Sequence, residues 1–406
     1  MAIVDFNNLD FRKVHPFILP FAEKYIYDID YIFFANTGLW NARQTNIFFQ
    51  EAGRMLINSV NLFCDGYFDC AFYCLRQSYE ISVTSLYLNE NKDEMEKWNK
   101  KSNDFLQKDM LDSLKKQISD YQELRDGLLK PYFDKLRVIM KEMNKYIHKQ
   151  GFSTMYTTRY SLEGQKVYKD EEIVDFFTSC LKACIGAVAV WRIILDPIPA
   201  LLNDETILRK TPEIYPEPYS DEFIEMYIGQ EVFESYKKST LYQEYYKYFN
   251  QFEEQNNAIY NIIHYQCINK KDFEDIQKQI HLLTIQDQIA VLFMFASNHI
   301  VRVIFENGIL SYTSNIELNG KETSIIYGDG VYNDYFEKED INQIYKGGYI
   351  SRFLIANKYV FIIHNDLLTN KDLSKFNSIN DQFSDIIQRE NEQLQKQIDD
   401  YILSTK

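Results

Sequence analysis

Two lines of residues on one predicted helix, from about Lys130 to Gln150, constrain this chain most. At 3.6 residues per turn, Leu136, Met140, Met143 and Ile147 share a face, and Phe133 continues it backwards. Such a stripe must bury against another element. Beside it Arg137, Lys141, Asn144 and His148 repeat the same spacing with polar side chains only. Pro131 suits the first turn, where its missing N–H is not needed, and Gly151 suits the C-terminal cap. Six basic residues (Lys130, Lys135, Arg137, Lys141, Lys145, Lys149) stand against two acids (Asp134, Glu142) over this stretch.

A second predicted helix, Tyr67 to Asn89, is apolar nearly all round and is expected at the centre of a domain. Its strongly polar side chains, Asp69, Arg76 and Glu80, share one face. Buried charges must be paired, and the polar line ending at His148 is the group that can answer them. The two helices are therefore expected to pack directly together, with Arg76→Ala costing a few kcal/mol by stranding Glu80.

A chain of 406 residues exceeds one ordinary core and predicts two or three domains. The formal charge of −15, from 44 Lys+Arg and 59 Asp+Glu, argues against nucleic-acid or anionic-membrane binding over the whole surface. A local basic patch is what remains. The abundance of Tyr (31) and Phe (29) is weak support for base stacking, because Asn, Ile and Lys are abundant too and nucleotide bias produces the same mixture. The N-terminal residues show no secretory pattern, and the most apolar run, Ala183 to Leu195, is short for a bilayer and contains Arg192. Six cysteines make no disulfide scaffold. A soluble cytoplasmic protein without membrane contact is expected.

The fold class expected is α+β. Residues 1–210 read as a helical bundle, with further helices over about 41–64 and Glu171 to Leu195. Three prolines between Lys210 and Pro218 mark the domain boundary. Residues 211–406 then read as helices (Ser220 to Asn257, Lys271 to Asn298), an antiparallel meander over about 300–365 and a C-terminal helix, Asn377 to Tyr401. The meander, of about five strands, rests on two Asn-Gly turns, at 307–308 and 319–320, and on a third hairpin across Ala356-Asn357-Lys358. The last helix carries Phe383, Ile387, Leu394, Ile398 and Tyr401 on one stripe, expected to pack on the sheet.

No Walker A loop, Gly-x-Ser-x-Gly elbow or His-Glu-x-x-His helix occurs in the sequence. Gly328-Asp329-Gly330 and Gly347-Gly348 read as turns. His15, His264, His281, His299 and His364 are scattered without ligand spacing. Cys70/Cys74 and Cys180/Cys184 each place two sulfurs on one helix face, but structural zinc sites use tighter spacings, so core packing is the expectation. No metal and no cofactor is expected.

The sequence Asn144-Lys145-Tyr146-Ile147-His148, together with Leu75-Arg76-Gln77-Ser78-Tyr79-Glu80, resembles the HEPN family over about residues 40–200. The family's late-helix signature is arginine, a polar residue, three variable residues and histidine. Here Asn144 and His148 match, while Met143 occupies the arginine position. The resemblance implies an all-helical domain, a bacterial defence or regulatory setting, RNA as a partner, homodimerisation and metal-independent ribonuclease chemistry. In that chemistry His148 moves the proton of a 2′-hydroxyl, and Arg76 stands in for the missing arginine at the phosphate. Asn144 completes the implied catalytic set, and Arg137, Lys141, Lys145, Lys149 and Glu80 are the candidate binding residues. A second expectation uses the same residues structurally: His148 and Asn144 satisfy Arg76 and Glu80 across the helix interface, in a non-enzymatic interaction protein whose C-terminal domain meets a protein partner. An open His148 beside Arg76 separates the first from the second.

Overall fold

The computed structural model describes residues 15–39, 42–101, 106–156, 169–211, 217–305, 310–315, 341–355, 358–384, 386 and 389. The chain is α+β and divides into two compact units, one of residues up to 211 together with 215–252, the other of 212–214 and 253–406.

In the first unit, α1 (Ala22–Phe34), α2 (Thr45–Cys64), α3 (Phe68–Glu90), α4 (Lys130–Ile147) and α5 (Asp170–Leu195) build one apolar core. α2 and α3 form a hairpin closed by Gly66 at φ 90°, where Tyr67 N–H donates to the Leu62 carbonyl (2.7 Å) and Gly66 N–H to that of Phe63 (2.9 Å). α5 lies at the centre, and every residue from Cys184 to Ile194 is buried. Phe177 stacks on Phe63 at 3.8 Å, and Trp191 packs between Tyr121 (5.6 Å) and Phe133 (5.4 Å). Taken whole, α5 is long and apolar enough to cross a bilayer, unlike the shorter run expected from the sequence; its enclosure within the core accounts for that composition.

The boundary expected at 210/211 moves to about 252/253. The chain returns after the proline-rich stretch and adds Tyr219, Phe223, Tyr227, Phe233, Tyr236 and Tyr242 to the first core. Tyr236 Oη donates to the Ile193 carbonyl (2.6 Å) and Tyr227 Oη to Asp28 (2.5 Å), tying this segment to α5 and α1. The single helical stretch expected over 220–257 is broken by Gly229 (φ 94°) and by Ser239, whose side chain caps Thr240–Phe249.

The second unit carries β1 (Cys267–Ile268), β2 (Ile300–Phe305), β3 (Ser311–Ser314), β4 (Gln343–Tyr345), β5 (Gly348–Ile355) and β6 (Lys358–His364). Their order is β1-β3-β2-β6-β5-β4. Two expected hairpins, β2/β3 and β5/β6, form with antiparallel registers such as Val303 opposite Tyr312 and Ser351 opposite Ile362. The sheet is nevertheless mixed rather than a meander, because β1 joins β3 in parallel and β2 lies beside β6. Both Asn-Gly turns, at 307–308 and 319–320, Ala356-Asn357 and Gly328–Gly330 lie outside the described residues. α6 (Ile285–Ala296) begins with a capping box, Thr284 with Asp287, and packs on β2. Its last carbonyls, Ala296 and Ser297, accept from Lys375 Nζ (2.6 Å) and Lys270 Nζ (2.8 Å), which suits cations at a helix C-terminus. Residues 370–384 are helical, and Phe376 meets Phe293 (5.1 Å) and Phe353 of β5 (4.8 Å), so this helix packs on the sheet. Phe383 is buried there, whereas Ile387, Leu394, Ile398 and Tyr401 fall outside the described residues.

His364 is fully buried at the end of β6. Its Nδ1–H donates to the Asp366 carbonyl (2.7 Å) and its Nε2 accepts from Ser351 Oγ (2.8 Å), with the Tyr349 ring stacked beside it and His299, Asp366 and Asp372 nearby. Burial holds its pKa below 6.5. Its stabilising contribution is therefore complete above pH 6.5 and is lost as pH falls, because the unfolded ring takes the proton first. Urea denaturation is expected to show stability falling below pH 6.5 by at most about 1.4 kcal/mol per pH unit from this group. His364→Gln removes that part of the slope. His264, also lowered by burial, acts with the same sign and leaves a remainder.

Candidate active site

α3 and α4 pack directly together, as their stripes require: Phe72 meets Tyr146 at 4.9 Å, and Leu136, Met143 and Ile147 are buried. The polar groups gather where α4 ends against α3. Arg76 Nε donates to Glu80 Oε1 (2.7 Å), and Arg76 Nη1 lies 3.2 Å from His148 Nε2. A guanidinium only donates, so Nε2 is the acceptor and the ring proton is assigned to Nδ1. The site is open. His148 is exposed, and the Arg76 and Glu80 side chains are 32% and 26% exposed.

That exposure corrects two expectations. Arg76 and Glu80 do not form a desolvated pair, because Tyr73 and Cys70 on the same helix also reach solvent. The cost of Arg76→Ala accordingly drops from a few kcal/mol to roughly 0.5–1 kcal/mol. Asn144 accepts the His148 N–H with its backbone carbonyl (2.9 Å), but among the described residues no side-chain hydrogen bond joins it to Arg76 or Glu80. Met143, in the arginine position of the signature, is buried core.

The helix ends otherwise than expected. Lys149 (φ 54°) takes the left-handed position that closes the helix, with Gln150 N–H donating to the Lys145 carbonyl (2.8 Å), and Gly151, also at positive φ (99°), instead opens the next turn, Phe152–Thr154. Lys149 is held there by an ion pair with Asp69, by the Thr154 carbonyl (3.4 Å) and by the Phe68 ring beneath its ammonium (5.5 Å). A left-handed non-glycine residue stores backbone strain, and here three contacts offset it.

Three acids, Asp69, Asp134 and Glu142, pair with four of the six cations of the basic patch, Lys130 (2.6 Å) sharing Asp134 with Arg137, so a local excess of positive charge remains. Lys145 pairs with Glu142 (2.6 Å), Arg137 with Asp134 (3.5 Å) and Lys149 with Asp69. Lys141 is exposed and makes no ion pair with the described residues. Tyr73, absent from the residues singled out by spacing, donates its hydroxyl to the Ile147 carbonyl (3.1 Å), adjacent to His148. Its position carries a signal, since Tyr73 lies one turn from both Asp69 and Arg76 on the polar face. The cysteines divide: Cys180 and Cys184 are buried core with thiol pKa values pushed up by burial, whereas Cys70 is exposed.

No family model matches this chain, and no curated protein or solved structure does so significantly.

Proposed function

We propose that the helical unit handles RNA and cleaves it by metal-independent acid–base chemistry, as a HEPN-like protein of a bacterial defence or regulatory system acting in the cytoplasm. One observation carries this reading: an exposed imidazole, His148, lies 3.2 Å from a guanidinium that Glu80 holds in place. His148 Nε2 takes the proton of a ribose 2′-hydroxyl as Arg76 moves from the ring to the phosphate. The 2′-oxygen bonds to phosphorus, the phosphorus–O5′ bond breaks, and the proton returns to the departing O5′. Arg76 offsets the charge that builds on the phosphorane oxygens. These side chains supply the proton transfers and the charge compensation, so the scheme calls on no metal. The same proposal includes a homodimer, which light scattering reads against the 48.4 kDa chain.

The test is purified protein with total RNA, comparing wild type, His148→Ala and Arg76→Ala. Wild type is expected to give discrete fragments ending in 2′,3′-cyclic phosphates, and both variants to lose them while melting close to wild type. Equal cleavage by His148→Ala would remove the assignment. The ion pairing of Arg137, Lys145 and Lys149 and the burial of Met143 favour a second reading, a non-enzymatic interaction protein. Intact RNA in every reaction, with a protein partner captured through the second unit, would support that one instead.

A further inference from the structure

We infer that Lys141 holds a phosphate of the substrate away from the bond being cut, so that this site takes an RNA strand running along α4 for at least two nucleotides beyond His148. The inference rests on the RNA reading above and specifies the substrate. It begins from a charge placed where a helix disfavours it. Arg137, Lys141 and Lys145 follow each other at i, i+4 and i+8, and like charges at that spacing repel across one turn. The outer two each have an acid, Arg137 reaching Asp134 (3.5 Å) and Lys145 reaching Glu142 (2.6 Å). Lys141 is exposed and makes no ion pair with the described residues, and its neighbours at i−3 and i+3, Val138 and Asn144, are uncharged. An anion from solvent relieves that repulsion, and no residue one turn away on α4 supplies one.

Helix geometry then places the anion. Arg137, Lys141, Asn144 and His148 share one face of α4 and its C-terminal cap. Counting back from His148, Asn144 lies about 6 Å along the axis, Lys141 about 10 Å and Arg137 about 16 Å, at a rise of about 1.5 Å per residue. Those steps are comparable to the separation of neighbouring phosphates along a nucleic-acid strand. With the scissile phosphate at His148 and Arg76, the next phosphate meets the Asn144 amide and the one after it meets Lys141. Asp134 ends the track, because it engages both Lys130 (2.6 Å) and Arg137. Lys135 is the internal control. It is also exposed and without an ion pair among the described residues, but it lies roughly 120–180° around the helix from these four. Its own turn neighbours, Pro131, Tyr132, Val138 and Ile139, carry no charge, so Lys135 meets no such repulsion.

The experiment measures cleavage of fluorescent random-sequence oligoribonucleotides of two, three, four and eight nucleotides by wild type, Lys141→Ala and Lys135→Ala. Wild-type kcat/KM is expected to rise steeply between two and four nucleotides and then level off. Lys141→Ala is expected to lose about threefold to tenfold on the eight-nucleotide strand, mainly in KM, and to match wild type on the dinucleotide. Its dependence of log KM on log salt is expected to flatten by about 0.7, the contribution of one phosphate contact on a single strand. Lys141→Ala is also expected to melt at or slightly above wild type, because a repulsion leaves with the charge. Lys135→Ala is expected to cleave every length as wild type does. Equal losses in Lys135→Ala and Lys141→Ala, or cleavage independent of strand length, overturn the track and leave the RNA reading standing. Cleavage of no strand by wild type overturns the RNA reading and the track together.

Discussion

Gly186→Ala is expected to destabilise the helical unit by about 3 kcal/mol or more, the upper range for overpacking a well-filled core. A methyl group at this position would lie 1.9 Å from the Tyr227 carbonyl oxygen and 2.8 Å from its carbon. These are backbone atoms, so no rotamer change relieves the clash. The segment bearing Tyr227 cannot retreat freely, because the Tyr227 hydroxyl is bonded to Asp28 of α1 and Tyr236 is bonded to Ile193 of α5. A Cβ on α5 therefore has to push the segment off the helix or bend α5 within the core. Gly127 supplies the contrast, since a methyl there meets nothing within 4 Å. Gly127→Ala is expected to be neutral or to stabilise by about 0.4–1 kcal/mol through the unfolded chain. Urea denaturation of the two variants decides the matter, and similar midpoints for both would mean that the α5–Tyr227 approach is not tight.

The residues that made the site legible are those whose spacing fixes a helix face. Period alone places Leu136, Met143 and Ile147 in the core, and the polar line beside them points to His148, which meets Arg76 across the interface. What period cannot reveal is depth. The apolar circumference of α3 implies burial for Arg76 and Glu80, but Tyr73 and Cys70 share the open side, and composition does not distinguish a ring in the core from one in water. The end of α4 departs from its sequence signal for a related reason. Gly151 takes positive φ most cheaply and does so (99°), yet the cap itself falls two residues earlier on Lys149, stabilised by Asp69 and Phe68 on a helix some 80 residues earlier in the chain. The return of residues 217–252 to the first core has the same origin. A proline-rich stretch signals an interruption of helix, and whether the chain then leaves or comes back depends on contacts such as Tyr236 with Ile193. The two-residue β1 has no period to read at all.

Breaking the ion pair between Arg192 and Asp196 is expected to cost more than any change at the candidate site, about 3–5 kcal/mol for either single substitution. Both side chains are 1% exposed, with Nη2 3.2 Å from Oδ2. The surroundings satisfy the remaining atoms. Arg192 Nε donates to the Ala35 carbonyl, Thr37 Oγ1 donates to Asp196 Oδ2 (2.5 Å), and Ile198 N–H donates to Oδ1 (3.1 Å). The pair therefore holds three things in register: the C-terminal end of α5, the turn at Pro197 and the chain leaving α1. Arg192→Leu leaves a carboxylate in the core with only neutral donors, and Asp196→Leu leaves a guanidinium whose strongest acceptor is gone; each residual charge bears the desolvation cost alone. Removing both strands neither charge, so the double substitution is expected to cost less than the sum of the singles by well over 1 kcal/mol. Denaturant midpoints for the four proteins complete the cycle. Additive effects would show that the two groups are solvated in solution, and the segment from Ala35 to Thr37 would then need another anchor. The position matters to function because α5 is the surface on which α3 and α4 both rest. Losing this anchor is expected to loosen the Arg76–His148 geometry from behind, whereas Arg76→Ala removes a group at the site and leaves the core beneath it intact.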